Sequence, residues 1–474
     1  MVFSSNLFLF LFLPVFLAMY YALPFKYRSR LILVCSYLFA AWWKPVFVLL
    51  FLVVQIWDYA ISHYVYWAHE RNDPVSAKRW LILGIGGDLA ALAYFKYFNF
   101  GMDNVNSILT ASGHEPITFW RVILPIGISF YTFHEMSYLI DVYRRDAKPA
   151  PTFWDFAAFI ALFPQLVAGP ILRYKDVVDQ FTERTHSFEK FSRGCIRLMG
   201  GLAKKILIAD TIAPVVDAAF GLEAPSMADA WIGTLAYSLQ LYFDFSGYSD
   251  MAMGLGLMLG FDFKENFDHP YISRNITEFW RRWHISLSTW LRDYLYIPLG
   301  GNRGTPTRTY INLWLTMLLG GIWHGANWTF VLWGVWHGGW LALERYLGKD
   351  VNGQRISPTW GMPVTAVIVM LGWVTFRAPD ISTAWAFYTA MFGANGFAFT
   401  DNFRWQLTGL HMVMLPVAVL VVYAAPALRT WNARQPAEKR AMYANAGLLY
   451  VPLFVLAIMR LSAQSYTPFL YFQF

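Results

Sequence analysis

Charge is scarce in this chain. Only 14% of its 474 residues are Asp, Glu, Lys or Arg, where soluble domains carry about 25%. The shortfall excludes the string of soluble domains that the length alone would suggest, because a water-facing surface needs roughly a quarter to a third of charged residues. Cysteine is nearly absent. Cys35 and Cys195 lie in or beside apolar stretches, so a disulfide framework and a cysteine-based metal site are excluded, and both read as small hydrophobes. Nucleotide-binding and serine-hydrolase signatures are missing as well: there is no Walker loop, no dinucleotide fingerprint and no G-x-S-x-G elbow. His134-Glu135 falls short of a zinc motif because position 138 is Tyr. No internal repeat appears, which argues against an inverted-repeat transporter. Neither a metal nor a bound cofactor is expected.

Apolar residues make up 57% of the chain and aromatic ones 19%. This is the composition of an all-α polytopic membrane protein, read as a single domain over 1–474 with an aromatic tail at 461–474. A span needs about 20 mostly apolar residues. Candidates are 7–24, 31–43, 46–64, 80–97, 119–140, 153–168, 229–243, 248–261, 311–346, 362–376, 410–428 and 441–459, with 311–346 long enough for a broken or double pass. Gly and Pro interrupt several of them, as at Pro125 and Gly127, Pro164, Gly169 and Pro170, and Gly320-Gly321. Breaks at membrane depth survive only where protein or a watery cavity covers the freed backbone, so the pattern predicts a bundle around a cavity. The first apolar run lacks a basic leader and a small-residue cleavage site, and is read as a retained span.

The net charge of +7 fits Lys and Arg held on the cytoplasmic side rather than nucleic-acid binding. Lys26, Arg28 and Arg30 after the first span, and Arg429, Arg434, Lys439 and Arg440 before the last, mark cytoplasmic loops. The N-terminus and residues 461–474 are then expected outside. Segment 171–205, with Lys204 and Lys205 at its end, reads as a basic amphipathic stretch on the cytoplasmic surface.

Segment 271–304 concentrates polar groups between apolar flanks: Glu278, Arg281, Arg282, His284, Arg292 and Asp293. Read as one helix, Arg281, His284, Ser288 and Arg292 form a polar stripe beside Trp283, Leu287, Trp290 and Tyr294. Glu278 can pair locally with Arg281 or Arg282. The stripe is either a solvated cytoplasmic face or the lining of a substrate cavity; ionisable groups retained at membrane depth point to function. In 311–343 there is no charged residue, yet His324 lies there. An imidazole in such surroundings is expected to be neutral, the form a general base must offer, unless it is a core histidine bonded to a carbonyl. Asn327 could orient that ring or a substrate. His337, about 220° away around a continuous helix, reads as structural. Asp244 and Asp250, placed between two spans, could line a cavity with Ser246, Tyr248 and Ser249 or sit in a membrane-edge turn. The uncharged tail either joins an interfacial aromatic belt or tucks into the protein, where Tyr471 could act as a nucleophile.

The motifs FWRRWHISLSTWLRDYLYIPLGGNRG (279–304) and GGIWHGANW (320–328) resemble those of the membrane-bound O-acyltransferase family. YFDFSGYSDMA (242–252) and LPIGISFYTF (124–133) support the likeness, which spans nearly the whole chain. The start MVFSSN and the tail TPFLYFQF resemble members that O-acetylate alginate; other members D-alanylate teichoic acids or O-acetylate peptidoglycan and cellulose. The resemblance implies a ring of roughly a dozen or more membrane helices around a catalytic tunnel. It makes His324 the catalytic histidine, His284 a second active-site candidate and Tyr471 the carrier of an exported acyl group. It further implies a cytosolic thioester donor such as acetyl-CoA. An oxyanion could be met by Trp283, Asn327 or backbone N–H groups, and Trp283, Asn327, Ser288, Arg292 and Asp244 are the expected substrate contacts. The expected partners are membrane lipid, a periplasmic acetyltransferase and polysaccharide-secretion proteins, with the polysaccharide acceptor reached indirectly, in the bacterial inner membrane. The competing readings are a transporter or flippase that changes no bond, and a silent scaffold for secretion.

Overall fold

The computed structural model describes residues 1–348, 359–434, 450–463 and Leu470. Among the described residues every regular element is helical and no strand occurs. Among the described residues three helices are long and apolar enough to cross a membrane: Val46–Glu70, Pro74–Ala111 and Gly409–Trp431. Phe8–Ala22, Met362–Arg377 and Tyr450–Ala463 are shorter apolar helices.

Helix ends follow local chemistry. Pro74–Ala111 begins where the Asp73 carboxylate accepts from the Ser76 N–H at 3.0 Å and Pro74, lacking an N–H, occupies the first turn. Ile128–Arg144 begins after Gly127, whose φ of +78° suits glycine alone. A Cβ there would also stand 2.4 Å from the Leu166 carbonyl oxygen. The expected span 119–140 is therefore helical only from Ile128 onward.

Two further expectations change. The separate spans 229–243 and 248–261 are one helix, Met227–Met258, so Asp244 and Asp250 lie inside a helix and not in a turn between spans. The run 311–346 is two helices, Pro306–His324 and Trp328–Leu347, separated by an extended Gly325 and the capping Asn327. Of the expected last span 441–459, residues 441–449 lie outside the described residues, and the helix there is Tyr450–Ala463.

The chain divides into two compact units, residues 1–194 with 255–263 and residues 195–254 with 264–474. In the first, Phe163 collects the rings of Phe3, Phe8, Phe12, Phe16 and Phe39 at 5.2–6.5 Å. Its helix Val46–Glu70 is inside-out: Leu49, Val53 and Ile56 are exposed, whereas Gln55, Asp58 and Ser62 are fully buried. An apolar face turned outward is stable only against lipid. The second unit is built on a core of Trp283, Trp333, Trp373, Phe279 and Phe376.

Candidate active site

Polar segment 271–304 is not one helix. It runs as Ile276–Arg282, Ile285–Trp290 and a π-helical turn Leu291–Tyr296. The first piece starts at Asn275, whose side chain accepts from the Glu278 N–H at 2.7 Å, while the Glu278 carboxylate reaches back to the Arg274 N–H at 2.8 Å. This reciprocal pairing satisfies two end donors at once. Glu344, buried on Trp328–Leu347, completes the cap by accepting from the Ile276 and Thr277 N–H groups at 2.6 and 2.9 Å.

The chain then kinks at His284, which has φ +43° and ψ +55°. A histidine in that left-handed region is strained and needs its surroundings to hold it. Loop 266–268 supplies the hold. The Asn266 carbonyl accepts from the Ile285 N–H at 2.9 Å, the Asn266 side chain accepts from the Ser286 hydroxyl at 2.8 Å, and the Asp268 N–H donates to the Arg282 carbonyl at 2.9 Å. The kink dissolves the expected stripe. His284 is fully buried, Arg281 and Arg292 are exposed, Arg292 pairs with Asp293 at 2.7 Å, and Ser288 donates to the Trp283 carbonyl at 3.3 Å. Glu278 does pair locally, with Arg282 at 3.0 Å.

His324 ends Pro306–His324 and is buried. Its ring meets the edges and faces of Trp323, Trp333 and Phe376 at 4.9–5.0 Å. The break at Gly325 cancels the continuous-helix geometry that set His337 apart, for His337 packs on the same Trp333 ring, at 4.9 Å. Its own nitrogens have no hydrogen-bond partner among the described residues, and Gly372 makes room for it, a Cβ there falling 2.5 Å from His337 Nε2. Asn327 caps the next helix through the Thr329 N–H at 3.0 Å and donates to the Pro379 carbonyl at 2.7 Å. Its carboxamide thus ties His324's loop to the start of the next helix and to the distant Pro379.

A wall of rings links the two histidines. It passes from His284 to Phe267 (6.5 Å), Trp283 (5.1 Å), Trp373 (5.0 Å), Phe376 (5.5 Å) and His324 (5.0 Å). Trp283 is its buried midpoint. Beside the His284 end lies a cavity of about 400 Å³, lined among others by Lys204, Ser246, Phe267, His269, Ile285 and Arg429. Phe267 is shared between wall and cavity, and Ile285, next to His284 in the chain, also lines the cavity.

The sequence reading missed His269. It lies in the loop before Pro270–Ile272, and burial holds its imidazole below the usual histidine range. It missed also what neutralises the helix acids. Asp250 receives Lys204 at 2.6 Å and Arg197 at 3.0 Å. Asp244 receives Lys205 at 2.6 Å, which bonds Asp210 at 2.7 Å. The Lys204-Lys205 pair was the available signal, read instead as solvated surface. Tyr471 lies outside the described residues. Its neighbour Leu470 is buried in the second unit's core and donates its N–H to Asp244 Oδ2 at 2.9 Å.

Two histidines joined by an aromatic wall, one at a helix break and one at a strained kink beside a polar cavity, sit inside the region matched by the family description. Residues 142–378 match the membrane-bound O-acyltransferase family, and the chain belongs to that family: it is an integral membrane O-acyltransferase. It is 56% identical to the protein named probable alginate O-acetylase of Pseudomonas putida, over 100% of both chains. It is 50% identical to the protein of that name in Pseudomonas aeruginosa, again over 100% of both. The peptidoglycan O-acetyltransferase of Helicobacter pylori is 35% identical over 84% of this chain and 80% of its own.

Proposed function

We propose that this O-acyltransferase takes an acetyl group from acetyl-CoA on the cytosolic side of the bacterial inner membrane and delivers it for O-acetylation of alginate. The full-length likeness to alginate O-acetylases supports the polymer. The protein acts as a multi-pass ring of roughly a dozen helices around a tunnel, handing the acetyl group to a periplasmic acetyltransferase of the polysaccharide-secretion machinery.

The observation that carries the chemistry is His324: a buried imidazole ending a helix, ringed by Trp323, Trp333 and Phe376. Such a group can serve as a general base, worth about 10²–10⁴ in rate. His324 takes the proton of an incoming hydroxyl as its oxygen bonds to the thioester carbonyl carbon. Collapse of the adduct breaks the C–S bond, and the proton returns to the leaving sulfur. The first acceptor is the Tyr471 phenol, and Leu470's bond to Asp244 holds the residue before it in the core. Trp283 and His284 shape the pocket, Asp244 anchors the tail, and Ser288, Arg292 and Asn327 act in binding.

Radiolabelled acetyl-CoA and purified protein test this. His324→Ala should cut CoA release at least a hundredfold with protein levels intact, and unchanged release would refute the base. Tyr471→Phe should stop polymer acetylation; normal acetylation there removes the relay but leaves His324 standing. Substrate movement without CoA release would favour a transporter.

A further inference from the structure

Three acids in the first unit take no part in this chemistry. Asp58, Asp88 and Glu135 stand on Val46–Glu70, Pro74–Ala111 and Ile128–Arg144, and expose 0%, 1% and 0% of their surface. One oxygen from each lies within 4.8 Å of the others. No N–H or hydroxyl from outside the cluster reaches any of their six oxygens among the described residues, and the Asp58 and Asp88 carboxyls lie within hydrogen-bonding reach of each other. Asp58 occupies the middle of its 25-residue helix, at the depth where an ionised group is most costly and where its retention signals a role.

The surroundings are built around this meeting point. Gly84, Ile61 and Leu139 lie one turn along from Asp88, Asp58 and Glu135 respectively. A Cβ on Gly84 would stand 2.6 Å from Leu139 Cδ1 and 2.9 Å from Ile61 Cγ2, so the three helices pack closely one turn from the acids. Gln55, fully buried and on the face of Asp58, offers a carboxamide nitrogen without a partner. Its oxygen takes the hydroxyl of Tyr37, which lies within electrostatic reach of Glu135, so the carboxamide borders the same space. The oxygen and nitrogen of such a group are assigned from its bonds, and turned over it presents a further oxygen.

We propose that Asp58, Asp88 and Glu135 form a binding site for a hard divalent cation of calcium's size, bridging three membrane helices. The ligand set is oxygen only, which suits a hard cation and not a soft metal. Three oxygens within 4.8 Å of one another can ligate one such ion as they stand, since oxygens about 2.3–2.6 Å from it lie at most about 4.6–5.2 Å apart. A dication with one carboxyl kept protonated leaves the cluster without net charge. The site is independent of the acyl-transfer reading, and its test measures binding alone.

The full-length protein in nanodiscs, stripped with chelator, is titrated with ⁴⁵Ca²⁺ and followed by thermal melting. One saturable equivalent per chain is expected, with a rise in melting temperature that choline chloride at equal ionic strength does not give. Asp88→Asn should weaken binding at least tenfold. The double variant Asp58→Asn/Asp88→Asn should melt no lower than stripped wild type and ignore calcium, because neutral amides need no counter-ion. If that variant fails to fold, the wild-type stoichiometry decides alone. Absence of saturable wild-type binding, equal affinity for Mg²⁺, or undiminished binding in the double variant would each overturn the proposal.

Discussion

Adding one methyl group at Gly325 should disturb His324 without touching it. A Cβ at Gly325 would stand 2.1 Å from Phe330 Cε2 and 2.4 Å from Cδ2, where carbon atoms rest at about 3.5–4.0 Å. Phe330 must therefore retreat by more than about 1 Å, since contact distances shorter than this are steeply repulsive. Its ring leans on Phe376 at 5.1 Å, and Phe376 is one of the three rings around His324. The backbone is not strained by the change, for Gly325 is extended at φ −164°; the whole effect is overpacking, worth about 1–3 kcal/mol. A shift of about 1 Å passed to a catalytic group can cost up to ~10² in rate. Gly325→Ala should thus lower CoA release ten- to a hundredfold (about the range of that displacement) and lower the melting temperature. Gly339→Ala is the control: nothing lies within 4 Å of its Cβ, and removing a mid-helix glycine stabilises by up to about 1 kcal/mol. Phe330→Leu added to Gly325→Ala should restore part of the rate. Wild-type turnover and stability in Gly325→Ala would refute the packing argument.

Two other predictions concern charge. Lys205→Met leaves Asp210 and Asp244 buried without their cation and should destabilise by about 3–5 kcal/mol, partly recovered by adding Asp244→Asn; a melt of the single variant at the wild-type temperature would contradict the triad. At His269 the fold favours the neutral ring, so its contribution is complete above the unfolded pKa of about 6.5 and is lost as pH falls below it. His269→Gln should flatten the fall in melting temperature between about pH 7 and 5, shallowly because the ring is half-buried, and parallel curves would exclude the assignment.

Long apolar runs were readable as helices because lipid rewards apolar faces whatever the tertiary partners are. The runs 46–64 and 362–376 lie within Val46–Glu70 and Met362–Arg377. What failed was anything that depended on a partner distant in sequence. Asp244 and Asp250 looked like the end of a span because the lysines that neutralise them come from 40 or so residues earlier. The face arithmetic for His337 assumed a continuous helix, and the three-residue break at 325–327 undid it. His284 was read as one member of a polar stripe; the structure buries it apart from Arg281 and Arg292, at a kink that depends on Asn266, which carries no motif of its own. Asp58 and Asp88 escaped notice, and Glu135 was weighed only beside His134, because single acids in three separate runs show no pattern until the helices cross.

The grip on Leu470 has a consequence for how the tail can vary. Asp244 holds a main-chain N–H, and a main-chain donor is the same for every residue type but proline. The contact therefore registers an ordinal position, seven residues past the helix end at Ala463, and is blind to spelling. Swapping one apolar residue for another at that buried place should be tolerated, whereas changing the number of residues between Ala463 and the clasp should bring a different main-chain N–H to Asp244.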